Sequence, residues 1–250
     1  MLLEKCIDYI DSNTVGVTKI IDESKVYWLK INGEDKSNFI RKCSAFISHV
    51  SFLSFLQTKS TLDSFERFEH ERVMLHFLSA NGFNVPEIEL EGEGYFVTAD
   101  KGVQLKNLPE ERITDDLLAN LFTLFARLHN TQVAHGRPAL RDILVDNHDQ
   151  ISLIDFEEST MDANSSLKAR DIFLLLMDLC RLTSVTEQRK LAALMTWKNQ
   201  VSSEEWQSLQ KIFRFANKCR WIAKTVLSVK PKNRASQQLI ATLTLLERAF

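Results

Sequence analysis

The chain has 250 residues, 44% of them apolar and 26% charged, with a net charge of −2. These values describe a globular chain large enough to bury a core as one domain or two lobes, and they exclude a globally basic nucleic-acid binder. No apolar run reaches the length of a membrane span, and Cys6, Cys43, Cys180 and Cys219 lie too far apart for a metal or redox pair, so reduced cytoplasmic thiols are expected.

Three strands are expected near 5–10, 15–21 and 26–31, the clearest being Val26-Tyr-Trp-Leu-Lys-Ile31, which runs into the turn signal Asn32-Gly33. Across 37–57, Phe39, Ile40, Cys43, Phe46, Ile47, Val50 and Leu53 recur at helical spacing opposite Arg41, Lys42, Ser44, Ser48 and His49. This amphipathic helix has two open readings, packing on the N-terminal half or meeting a lipid interface. A second helix is expected over Asp63–Ala80, stopped by Asn81-Gly82, and a hairpin over Glu87–Leu90 and Tyr95–Thr98. Thr114 or Asp115 could cap a helix running to Leu128, and further helices are expected over about 166–182, 186–198, 203–228 and 235–249. Helix and strand do not alternate outside the hairpins, so the fold class is α+β. Residues 211–234 carry Lys211, Arg214, Lys218, Arg220, Lys224, Lys230, Lys232 and Arg234 without an acid. Such a run is either a solvated helix face or a dock for an anionic substrate or membrane surface.

The segment His135-Gly-Arg-Pro-Ala-Leu-Arg-Asp142-Ile-Leu-Val-Asp-Asn147-His-Asp-Gln-Ile-Ser-Leu-Ile-Asp155-Phe-Glu157 is the most informative. It divides into a loop (135–142), a strand (143–145), a polar turn (146–150) and a strand (151–154). Asp142 and Asp155 then stand at the two ends of one hairpin, and paired carboxylates beside a loop suit Mg²⁺ carrying nucleotide phosphate.

This stretch resembles the protein-kinase-like superfamily, in its lipopolysaccharide/Kdo kinase-like branch, where His-Gly-Asp-Leu-x-x-x-Asn is followed by Asp-Phe-Gly or Asp-Phe-Glu. His135-Gly136 matches the loop start, Asp142 the metal-binding Asn, and Asp155-Phe156-Glu157 the second motif. The family's catalytic Asp falls on Arg137, which cannot accept a proton near neutral pH. An alternative register, Arg141-Asp142-x-x-x-x-Asn147, restores that Asp but places the strand 143–145 inside the catalytic loop, so strand geometry favours the first.

The resemblance implies a bilobal fold, with an N-lobe of small antiparallel sheet and inserted helix over 1–100 and a mostly helical C-lobe over 101–250. It implies Lys30 as the phosphate-binding lysine, paired with a Glu of the 63–80 helix: Glu71, with Glu66 and Glu69 as rivals. Backbone at Thr98, Ala99 and Asp100 would receive adenine, Asp142 and Asp155 would hold Mg²⁺, and Asp171 would accept hydrogen bonds from the loop backbone. His135 is expected to be structural. Arg137 could contact the transferring phosphoryl group, with Glu157, Glu158 or Asp162 as substitute base. The family's glycine-rich loop is missing; only Gly16 lies in the relevant turn. The implied activity is an ATP- and Mg²⁺-dependent phosphotransferase acting on an envelope glycolipid sugar. The alternative is a pseudokinase that binds nucleotide or a partner without turnover. The implied setting is cytoplasmic, with a peripheral position at the inner membrane and an anionic glycolipid as partner; no nucleic acid is expected.

Overall fold

The computed structural model describes residues 2–12, 15–33 and 63–250; the 37–57 helix and Asn13-Thr14 lie outside the described residues. The architecture is α+β, a small antiparallel sheet near the N-terminus and a mostly helical remainder. The chain divides into two compact units. The described part of the first covers 2–12, 15–33, 63–103 and 144–158, and the second covers 104–143 and 159–250.

The first unit opens with α1 (Leu2–Asp11), where a strand near 5–10 was expected. Cys6-Ile7-Asp8-Tyr9-Ile10 alternates over a few residues, but Leu2, Cys6 and Ile10 also recur every fourth residue. The second period wins because it lays one stripe against a core of Ile20, Leu29, Ile31 and Val97. Strands β1 (Gly16–Asp22), β2 (Lys25–Ile31), β3 (Ile88–Gly92) and β4 (Tyr95–Ala99) form a sheet in the order β1-β2-β4-β3. Leu29 lies opposite Val97 and Ile31 opposite Tyr95, which turns these residues toward α1. By the two-residue period, Lys30 and its cross-strand partner Phe96 point to the other face.

That other face is covered by α2 (Ser64–Ala80). Its start is set locally: the Asp63 side chain accepts from the Glu66 amide at 2.8 Å, and Glu66 accepts from the Asp63 amide at 2.9 Å. Phe68 stacks on Phe96 with ring centroids 5.0 Å apart. Glu71, three residues later, therefore points to the same sheet face as Lys30.

A second sheet has the order β5-β6-β7, from β5 (Val103–Gln104), β6 (Ile143–Val145) and β7 (Ile151–Leu153). Gly102 has φ 111°, and a Cβ there would meet the Val145 carbonyl oxygen at 2.3 Å, so neither the backbone angle nor the space admits a side chain. The β6–β7 turn is built by Asp146, whose carboxylate accepts from the His148 and Gln150 amides at 2.8 and 2.9 Å. Asn147, the metal position of the alternative register, is exposed in that turn.

The second unit holds α3 (Asp115–Asn130), α4 (Ser165–Leu179), α5 (Glu187–Lys198), α6 (Ser203–Lys218), α7 (Arg220–Val229) and α8 (Arg234–Glu247). Thr114 caps α3 and Asn164 caps α4 through their side chains. Helix α4 is buried on nearly every side. Its Lys168 ammonium lies 3.1 Å from Glu205 of α6 and 2.9 Å from the Gln132 side-chain oxygen, so the buried cation is paired.

One expected helix, 203–228, is two. At Cys219 (φ −98°, ψ 7°) the amide bonds back to Ala216 at 3.1 Å, tightening the last turn. No Gly or Pro causes the break. Arg220, the first residue of α7, is held by the Glu247 carboxylate and the Thr244 hydroxyl of α8, and these tertiary contacts redirect the chain.

Candidate functional site

In the first unit, the Lys30 ammonium lies between two carboxylates. It forms an ion pair with Glu71 and a second with Glu157 at 2.6 Å. Local bonding explains why Glu71, and neither rival, reaches Lys30. Glu66 is used in the cap of α2, and Glu69 pairs with Arg72 at 2.5 Å. Glu157 arrives from the segment after β7, which Asn84 holds by donating to the Ile151 carbonyl at 3.0 Å. Between them, Asp155 has φ 66° and Phe156 is fully buried. A left-handed backbone costs a non-glycine residue on the order of 1 kcal/mol, which Asp tolerates better than most, and such strain concentrates at working sites.

Lys30 faces two carboxylates, and a third, Asp155, is close enough to act on Glu71. Burial alone would depress the Lys30 ammonium, but Glu71 and Glu157 together hold it above the ordinary lysine value. Burial pushes Glu71 up. Lys30 pulls it down, Asp155 and Glu157 push again, and the carboxyl ends near 7. Lys30 has more negative charge about it than one ammonium can neutralise, and the surplus falls on Glu71, the most buried of the three carboxylates.

Sign follows from that surplus. The Glu71 pKa of about 7 in the fold exceeds the ordinary glutamate value of 4.5, so the folded state holds the extra proton between those pH values. This contribution is fully present below about pH 4.5 and is lost as pH rises through about 7. Wild type should lose on the order of 3 kcal/mol across that window through this group, and Glu71→Gln should not. Urea midpoints measured from pH 4.5 to 8 in both proteins decide the matter; parallel curves would refute it.

In the second unit, the loop 135–142 is pinned by carboxylates through its own amides. Asp171, fully buried, accepts from the His135 and Gly136 amides at 2.6 and 3.0 Å. Asp178 accepts from the Leu140 amide at 2.8 Å. Asp142, also buried, accepts from the Ala139 amide at 3.1 Å and from Arg141 Nε at 3.2 Å. Behind the loop, Trp197 Nε1 donates to His129 Nδ1 at 3.0 Å, so His129 Nε2 carries the proton and faces Asp171 at 3.4 Å. His135 is buried, as a structural residue would be, while Arg137 is exposed.

Thr98 and Ala99 close β4, with Asp100 next; the Ala99 amide is spent on the Glu87 carbonyl at 3.2 Å and the Asp100 amide on Val26 at 3.1 Å. The Asp100 side chain accepts from Trp28 Nε1 at 2.7 Å and from the Gly102 amide at 3.2 Å.

Three contributors were not recognised from sequence. In the sequence Glu157 closes the Asp155-Phe156-Glu157 match and offers a substitute base, and its bond to Lys30 is not foreseen. His129 was passed over, although it follows Phe125 by four on the buried side of α3, where a histidine needs polar partners. Asp178 lies seven residues, two helical turns, beyond Asp171 on α4, a spacing that could have revealed it.

Mg²⁺ fits the surplus negative charge around Lys30 and the hard oxygen donors present. Among the described residues, no three His, Cys, Asp or Glu side chains are grouped to hold a metal alone. Mg²⁺ shared with phosphates needs only one or two carboxylates from protein.

No protein-family model matches the chain. A protein of Haemophilus influenzae described as uncharacterized is 25% identical over 175 residues, covering 66% of this chain and 69% of its own. Among solved structures, the chain is similar to the Rio2 kinase–ADP/Mg²⁺–phosphoaspartate complex from Chaetomium thermophilum, with TM-score 0.47, 16% identity, and 84% and 74% of the two chains covered. The bifunctional kinase-methyltransferase WbdD gives TM-score 0.42 and 16% identity, over 79% of this chain and 47% of that one.

Proposed function

We propose that the chain is a protein-kinase-like phosphotransferase, built as an N-lobe over 1–100 and a C-lobe over 101–250. In this reading it uses ATP and Mg²⁺ to phosphorylate a hydroxyl of an envelope glycolipid sugar. The observation that carries it is the Lys30 cluster: a strand lysine paired with a buried helix glutamate, beside a strained aspartate that follows a buried β-hairpin. Lys30 would hold the phosphates, and Asp155 would supply a protein ligand for the metal, the role that the resemblance also gives to Asp142. Bound Mg²⁺ would neutralise phosphate charge and orient the groups for transfer. The Ala99 and Asp100 amides are occupied in the sheet, so adenine is received by the remaining backbone groups of the Thr98–Asp100 connector. The acceptor oxygen bonds to the γ-phosphorus as the bond to the β–γ bridging oxygen breaks, giving a phosphate ester and ADP. The hydroxyl proton leaves to a carboxylate; Glu158 and Asp162 stand beside Glu157, which Lys30 engages, as the candidates for this role. The acceptor class rests on the resemblance of residues 135–157 to the lipopolysaccharide kinase-like branch.

A second reading, nucleotide binding without turnover, is favoured by Arg137, a permanent cation where that branch has its base. Both readings need nucleotide. Mg²⁺-ATP at about 100 times its Kd should add about 2.7 kcal/mol of stability, or roughly 5–10 °C in Tm. Asp155→Asn should abolish the rise. A wild type unmoved at millimolar Mg²⁺-ATP would overturn both readings, and transfer of label from ATP to envelope extract separates them.

A further inference from the structure

From Trp206 to Leu246 the chain contains no Asp or Glu and eight Lys or Arg. Among the described residues, only Arg220 of these eight pairs with a carboxylate, that of Glu247. The middle of this stretch is α7, which buries Ala223 and leaves an arc of Lys224, Ser228, Trp221, Thr225 and Val229 exposed on the opposite side. Consecutive residues turn about 100°, so these five share one contiguous face. Trp221 is 65% exposed and Val229 75%. The arc runs directly into exposed Lys230 and Lys232.

A single exposed apolar side chain needs no explanation. A tryptophan and a valine on one helical arc, in a stretch that carries cations and no acid of its own, do. Anionic headgroups would attract the lysines, and the two apolar groups would enter the headgroup boundary, where tryptophan is favoured. Nucleic acid would use the cations and could stack on Trp221, but it has no use for Val229.

We propose that this face of α7, with the turn after it, docks the protein on an anionic lipid bilayer. The contact needs no nucleotide and stands apart from the phosphotransferase reading, so either can fail alone.

The test is co-sedimentation of the full chain with vesicles of phosphatidylcholine alone or with 30% phosphatidylglycerol, at 0.1 and 0.5 M NaCl. Binding is expected to the phosphatidylglycerol vesicles at low salt only, because screening at high salt removes the attraction. Lys230→Glu/Lys232→Glu should weaken it at least about tenfold. Trp221→Ser, which changes no charge, should weaken it several-fold and reports on insertion separately. Equal binding to neutral vesicles, or unchanged binding by both variants, would overturn the proposal. So would salt-sensitive binding of single-stranded DNA through Lys230 and Lys232 in a protein that ignores the vesicles.

Discussion

Replacing Asp171 by alanine is expected to cost the second unit about 3–5 kcal/mol, the range for breaking a buried charged network from one side. Asp171 is fully buried and receives the His135 and Gly136 amides at 2.6 and 3.0 Å and His129 Nε2 at 3.4 Å. Alanine would leave all three without a partner in a site closed to water, and each buried orphan costs about 1–3 kcal/mol. The Trp197 bond to His129 Nδ1 prevents the imidazole from escaping by changing tautomer. Against a typical total of about 5–15 kcal/mol, the loss is large enough to move a urea midpoint well beyond error. Asp171→Asn keeps the volume and one acceptor, so it should fall between wild type and alanine. An alanine variant within about 1 kcal/mol of wild type would show that the network does not hold the loop.

Removal of the Lys30 ammonium should produce two separable losses. In Lys30→Met, the buried Glu71 loses the cation that pulls its pKa down and keeps Glu157 and Asp155 as neighbours, so the pair is broken from one side and stability should drop by about 3 kcal/mol. Adding Glu71→Gln puts a neutral amide in place of that buried carboxyl and should recover much of that stability. Turnover behaves differently. If Lys30 holds the transferring phosphates, its loss should lower label transfer by roughly 10²–10³-fold, the scale for deleting one electrostatic contact to developing charge. The second substitution should recover none of it. Turnover restored together with stability would mean that Lys30 is a structural cation and nothing more.

The elements that were legible in the sequence depend on neighbours close in the chain. The Asp63–Glu66 capping box marks the start of α2, the Glu93-Gly94 turn joins β3 to β4, and apolar runs on either side of Asp146–Gln150 make β6 and β7. The pairing of Lys30 with Glu71 came from the family resemblance, with Glu66 and Glu69 as rivals, and local bonding of those two rivals is what the structure adds. Short windows failed where two periods competed. Residues 5–10 satisfy alternation as well as helical spacing, and only the core of Ile20, Leu29, Ile31 and Val97 chooses between them. Nothing local in 203–228 marks a break, because its cause is Arg220 meeting Glu247 and Thr244 on another helix.

Local signals suffice for the α+β class, the start of α2 and the β6–β7 hairpin with Asp155 beyond it, since caps, turns and alternation act over a few residues. Tertiary structure alone decided who meets whom. It gave Lys30 its second carboxylate from 127 positions away, and joined His129, Trp197 and Asp171 behind the loop. Partner choice across such separations is governed by burial, where every desolvated charge or N–H must find a mate, and no pattern within a single segment records which mate it will be.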